Sequence, residues 1–170
     1  CGAGGCTYYS GIFIEPRYWY QIQRTSSKMK TIFVKPSEVT RKWYIIDAEN
    51  KVLGKVAAKA ADLVRGKHKA LFTPHQEIGD FVIIVNASKA LLTGRKAQQK
   101  QYYRHSGYPG GLTSETYEKV IKRKPEFPLE HAVRGMLPKG RLGRKLFNNV
   151  KVYADGRHPH AAQQPEPVEV

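Results

Sequence analysis

Cysteine is confined to the first six positions: Cys1 and Cys6 are the only two in 170 residues. A disulfide-stapled fold and a cysteine-ligated zinc site are therefore excluded for the body of the chain. Long apolar runs are missing too. A membrane-spanning helix needs about 20 apolar residues, whereas the longest candidates here are Phe81 to Val85 and the mixed stretch from Val52 to Val64. Acids are scarce, with 14 Asp and Glu against 29 Lys and Arg, a net charge of +15. A chain so basic seeks a polyanion. Its 41% hydrophobic content suffices for a packed core and argues against wholesale disorder. The charge lies in segments rich in Gly, Tyr and His rather than on a basic amphipathic helix or polybasic tail, which favours nucleic acid over a membrane surface.

The first 28 residues, CGAGGCTYYSG through Lys28, differ from the rest in composition. They lack the basic start and uninterrupted apolar core of a secretory signal, while their few acids leave a transit peptide open. Met29-Lys30 resembles an initiation site, so residues 1–28 are expected to be an upstream extension and residues 29–170 the domain, with a tail from about residue 156. Within the domain, Trp43 to Asp47 reads as a first strand. Leu53, Val56, Ala57, Ala60, Leu63 and Val64 fall at helical spacing, and Gly66 is placed to end that helix. Phe81 to Val85 suits a strand buried on both faces of a parallel sheet. Strand, helix, buried strand predicts an α/β domain. Leu91-Leu92 and Lys100 to Arg104 read as further short strands, Ser114–Lys124, Leu129–Leu137 and Leu142–Asn149 as helices, and Val150–Tyr153 as a returning strand. The proline-containing tail is expected to be extended.

Positive charge gathers in three places. Between Asp80 and Glu115 there is no acid, while Arg95, Lys96, Lys100 and Arg104 alternate with Tyr102, Tyr103, His105 and Tyr108. Cations of this kind neutralise phosphates, and tyrosines stack on unpaired bases. A solvated loop whose tyrosines support the core is the competing reading. If Lys100 to His105 is a strand, Tyr102 and Tyr103 point to opposite faces, one inward and one towards RNA. The second concentration, Arg134 to Lys145, carries Lys139, Arg141, Arg144 and Lys145 among Gly135, Pro138, Gly140 and Gly143, a pattern suited to a fixed loop along a sugar-phosphate backbone, with a merely soluble connection as the competing reading. The third is Lys67, His68 and Lys69, just past the first helix.

Signatures of enzymatic chemistry fail one by one. Neither Leu53-Gly54-Lys55 nor Arg65-Gly66-Lys67-His68 completes a phosphate-binding loop, and the first strand is not followed by a dinucleotide glycine fingerprint. His68, His75, His158 and His160 lack metal-ligand spacing, and no nucleophile elbow is present. The acid pairs Glu115/Glu118 and Glu126/Glu130 read as solvated helix residues.

A specific likeness then emerges. Trp43-Tyr44 through Asp47-Ala48, Arg65-Gly66-Lys67-His68-Lys69, Phe72-Thr73-Pro74-His75, Val85-Asn86-Ala87, Tyr102-Tyr103-Arg104-His105-Ser106-Gly107, Ala132-Val133-Arg134-Gly135-Met136-Leu137-Pro138-Lys139-Gly140, Leu142-Gly143-Arg144 and His158-Pro159-His160-Ala161-Ala162-Gln163-Gln164-Pro165 occur in the order of the bacterial ribosomal protein thirteen family of the large subunit, which the chain resembles from about Met29 onward. The resemblance implies a three-layer α/β/α fold around a small, mostly parallel sheet. It also implies binding to large-subunit ribosomal RNA beside neighbouring ribosomal proteins, an early role in subunit assembly, a cytoplasmic place in the ribosome, and no catalysis, cofactor, metal, membrane or small-molecule substrate. Asn50 stands where the family usually has glycine, Lys55 where it has arginine, and Arg141 where bacterial members often have proline. Asparagine accepts positive φ, so the turn at position 50 is expected to survive. Two other readings compete. A small nucleotide-dependent enzyme would show a pocket of convergent polar groups and turnover, and a regulator acting on messenger RNA or a protein would not co-sediment stoichiometrically with large subunits.

Overall fold

The computed structural model describes residues 34–170, and the extension expected at residues 1–28 lies outside the described residues. Strand β1 (Trp43–Asp47) and strand β2 (Phe81–Val85) pair in parallel, Trp43 with Phe81 through Asp47 with Val85. Helix α1 (Leu53–Arg65) makes the crossover between them. Its apolar positions are all buried, from Leu53 to Val64, and Gly66 closes it at φ 79°, a left-handed conformation that glycine adopts without steric cost. Asn50 is also left-handed, at φ 56°, as its side chain permits.

Strand β5 (Val150–Val152) flanks β2, and strand β6 (Glu166–Pro167) flanks β1, giving a four-stranded parallel sheet in the order β5-β2-β1-β6. One face of the sheet, with Ile46, Val82, Ile84 and Val150, is packed by α1, α4 (Phe127–Met136) and α5 (Arg141–Asn148), which contribute Val56, Ala60, Leu129, Val133 and Leu146 to a single core. On the other face Trp43 stacks on Phe81 at 4.5 Å and His160 lies 5.2 Å from Trp43.

Beyond β2 the short helix α2 (Lys96–Gln99) leads into strands β3 (Gln101–His105) and β4 (Leu112–Thr116), an antiparallel hairpin, followed by α3 (Tyr117–Arg123). The hairpin unit has its own small core of Tyr102, Tyr117 and Val120, and Leu92 packs against both cores.

Three sequence expectations change. The helix expected from Ser114 begins only at Tyr117, because Leu112 to Thr116 pairs with β3, and such pairing is invisible to local periodicity. Leu91-Leu92 forms no strand but a single parallel bridge, Leu91 to Val52, with Leu53 N–H donating to Leu91 O at 3.0 Å. The tail is not merely extended: after a 3-10 turn at Ala161–Gln163 it joins the sheet as β6, with Val168 N–H bonded to Ile45 O at 2.9 Å. Pro167 is tolerated because β6 is an edge strand. No helix among the described residues is long and apolar enough to cross a membrane.

Candidate nucleic-acid interface

Strand alternation divides the tyrosine pair as expected. Tyr102 is buried, 8% exposed, with its ring edge-on to Phe127 and to His131, each at 5.5 Å, whereas Tyr103 is 67% exposed. Burial pushes the Tyr102 phenol up to about 12 and raises Tyr117 as well. The Lys100 ammonium lies 5.2 Å from the centre of the Tyr102 ring. Arg104 and His105 are exposed on β3, and Arg95 and Lys96 are exposed at the start of α2. Among the described residues none of Arg95, Lys96, Lys100 and Arg104 forms an ion pair, so their charge is free for a partner. Lys96 and Lys100 line a groove of about 470 Å³ together with Leu53 and Gly54 at the start of α1 and Leu92 ahead of α2.

A second groove, of about 430 Å³, follows from the tight turn between α4 and α5. Pro128 occupies the first turn of α4, where its missing N–H costs nothing, and Leu129 and Val133 anchor that helix in the core. Leu137 and Pro138 then bring the chain back so closely that a Cβ on Gly143 would lie 1.8 Å from the Pro138 carbonyl oxygen, a position only glycine can fill. The groove is lined by Arg134, Pro138, Lys139, Gly140, Gly143, Arg144, Phe147 and Asn148. Gly140 caps α5 without a side chain and the first turn has no acid, so the N–H groups there are open to an anion. Arg141 and Lys145 are exposed on α5 outside the groove lining. None of Arg134, Lys139, Arg141, Arg144 and Lys145 forms an ion pair among the described residues. Phe147 and Asn148 were not singled out from the sequence. Only their position one and two residues beyond Leu146 on a helix otherwise rich in cations connects them to the site.

The third basic group has a different occupation. Asp80 is fully buried, and its Oδ1 accepts from Lys42 N–H at 2.8 Å and from the Lys69 ammonium at 2.6 Å. Lys69 also donates to Thr40 O at 2.8 Å and Ile78 O at 3.0 Å, which uses all three of its donors inside the fold. His68 Nε2 stands 2.9 Å from Asp80 Oδ2, at ion-pair distance but outside hydrogen-bond geometry. Lys67 pairs with Asp62 at 2.8 Å on the surface. His68 and Lys69 thus tie the loop 66–79 to the buried Asp80, and both Lys67 and His68 are exposed while Lys69 is half-buried.

No group of three His, Cys, Asp or Glu side chains suited to a metal ion occurs among the described residues. The family described as Ribosomal protein L13 matches residues 41–159. The chain is similar to the large ribosomal subunit protein uL13 of Treponema denticola, 61% identical over 142 residues that cover 84% of this chain and all of the relative. It is likewise similar to that of Symbiobacterium thermophilum, 58% identical over 141 residues, or 83% of this chain and 99% of the relative. The counterpart in Alteromonas mediterranea is 55% identical over 142 residues. With a match across most of its length, and with the α/β fold and the motifs in order, the chain belongs to the ribosomal protein L13 family.

Proposed function

We propose that this protein is a structural constituent of the large ribosomal subunit, that it binds large-subunit ribosomal RNA, and that it enters the subunit early in assembly. It acts by binding, not turnover. The observation that carries the reading is the set of exposed cations along the α4–α5 groove, which has no counter-ion among the described residues and lies beside the open N-terminus of α5. Such charge is costly to gather without a polyanion to neutralise it, and a sugar-phosphate backbone matches it.

The contact residues proposed are Arg95, Lys96, Lys100, Tyr103, Arg104 and His105 on the hairpin side and Lys139, Arg141, Arg144 and Lys145 at the groove. Lys67 and His68 join them from the loop, while Lys69, whose donors are all used inside the fold, supports that loop from within. Neighbouring ribosomal proteins would meet the remaining surface. Residues 29–170 are proposed as the functional domain, supported by relatives that match over nearly their whole length.

The test is a sucrose gradient of lysate with quantitative mass spectrometry. The protein should appear at one copy per large subunit, and deletion of residues 1–28 should leave that ratio unchanged. In order-of-addition reconstitution it should bind the naked RNA before most other proteins. A protein that stays at the top of the gradient would refute the reading, and entry only after the other proteins would refute the early role.

A further inference from the structure

The β3–β4 hairpin has two unlike faces. One turns Tyr102 into the small core. The other carries Gln101, Tyr103 and His105 opposite Thr116, Ser114 and Leu112, and it contains no acid and no lysine or arginine. Folding leaves this face in water: Tyr103 is 67% and Leu112 62% exposed, and Tyr108 at the tip is 76% exposed. Both strand rings are held. The Tyr103 hydroxyl donates to Gln101 Oε1 at 3.0 Å, two residues back on the same face, which lays the ring along the strand. His105 Nδ1 accepts from Gly107 N–H at 2.9 Å, which leaves Nε2 as the donor of that ring.

From this geometry we infer that the Tyr103–His105–Leu112 face is a stacking platform for unpaired RNA bases, an inference that rests on the RNA-binding reading above. Charge selects nucleic acid. No acid lies anywhere from Phe81 to Ser114, and Lys96, Lys100 and Arg104, which strand alternation and the Lys100–Tyr102 contact put on the side of the hairpin away from the platform, form no ion pairs among the described residues. A two-stranded hairpin is narrow, so a phosphate backbone held by those cations along its edge could turn its bases over the rings of the other face. Shape selects the unpaired state, since stacking on an aromatic ring needs an exposed base face, which a duplex keeps inside its own stack. The α4–α5 groove differs in kind. Its one ring, Phe147, is half-buried, and its rim is cationic, as backbone contact requires. The molecule therefore carries two RNA sites of different selectivity, one for splayed bases and one for phosphates.

The experiment titrates the full chain, with Tyr103→Leu and Tyr103→Phe, against a fluorescent single-stranded RNA and a blunt-ended two-strand RNA duplex at fixed salt. Ultraviolet cross-linking of assembled subunits, read by mass spectrometry, accompanies it. Tyr103 is exposed, so both variants should melt with the parent. The expected result is a roughly ten-fold loss of single-strand affinity for Tyr103→Leu, none for Tyr103→Phe, little change on the duplex, and a nucleotide cross-linked at Tyr103. Single-strand affinity unchanged in Tyr103→Leu, equal losses on both RNAs, or a cross-link to a peptide from a neighbouring protein would each overturn the platform. A parent chain that bound neither RNA would overturn the RNA-binding reading itself, which separates the two failures.

Discussion

Asn86 ends β2 in the left-handed region, at φ 57°, and its Nδ2 donates to Asp47 Oδ1 at 2.8 Å while its own N–H reaches Asp155 O. One residue thus joins the ends of β1, β2 and the segment after β5. Asn86→Gly keeps the backbone freedom and loses the side-chain bond, at a cost of about 1 kcal/mol. Asn86→Ala loses the bond and also meets the left-handed penalty of about 1 to 2 kcal/mol more. Urea denaturation of both variants resolves the two terms, and equal losses would show that the backbone conformation is unimportant. The same bond, with Glu49 N–H, holds the Asp47 carboxyl below its ordinary value. Stability from this source is present above the ordinary carboxylate range and is lost as pH falls through the lowered value. The gap between parent and Asn86→Gly should therefore narrow in acid.

Tyr102 gives the opposite pH limb. Its hydroxyl is buried with no hydrogen-bond partner among the described residues, so Tyr102→Phe should leave stability unchanged or raise it by about 1 kcal/mol, whereas Tyr102→Ala should cost about 3 kcal/mol or more. The phenol ionises near pH 12 in the fold and near pH 10 when unfolded, so the unfolded state sheds its proton first and stability declines as pH rises across that window. Melting curves between pH 9 and about pH 11 should show that decline in the parent and a smaller one in Tyr102→Phe.

At the scale of elements, α5 separates binding from folding. Its inward residues, Gly143 and Leu146, secure it against the Pro138 turn and the core, while Arg141, Arg144 and Lys145 point away and touch no acid. Replacing those three with glutamine should change the melting temperature little and weaken RNA binding sharply. A fall in stability that matched the loss of binding would assign the cations to the fold instead. Elements also differ in how plainly the sequence announces them. β1, α1 and β2 are legible to the residue because burial on one or both faces imposes a period, and Gly66 marks the end. β4 and β6 are not, because Ser114-Glu115-Thr116 and Glu166-Pro167 are polar or proline-bearing and owe their conformation to partner strands. The site follows the same division. Clusters of cations show in the sequence, but that Lys69 is consumed by Asp80 depends on a carboxylate 11 positions away becoming buried, which only the fold decides.

For the whole molecule the excess of 15 positive charges sets the association physics. Each phosphate neutralised releases condensed counter-ions, adding about 0.7 to 0.9 to the slope of log affinity against log salt. Titration of an RNA fragment in graded potassium chloride should give a slope of several units, reduced in the triple glutamine variant and unchanged in Tyr103→Leu. A flat dependence in the parent would remove phosphate neutralisation from the mechanism.

The position of β1 between β2 and β6 also has a kinetic consequence. The hairpin unit closes through neighbours in sequence, β3 with β4 and then α3, so loop-closure entropy scarcely delays it. β1 gains its second neighbour only when Glu166 arrives beside it, and the Lys42–Glu166 ion pair that marks this junction spans 124 positions. Contacts of such separation form late. In refolding from denaturant, amides of the hairpin unit should gain protection from hydrogen exchange before those along the β1–β6 seam. During that interval one edge of β1 stands unpaired, open to another copy of the same strand, so the yield of refolding should fall as protein concentration rises.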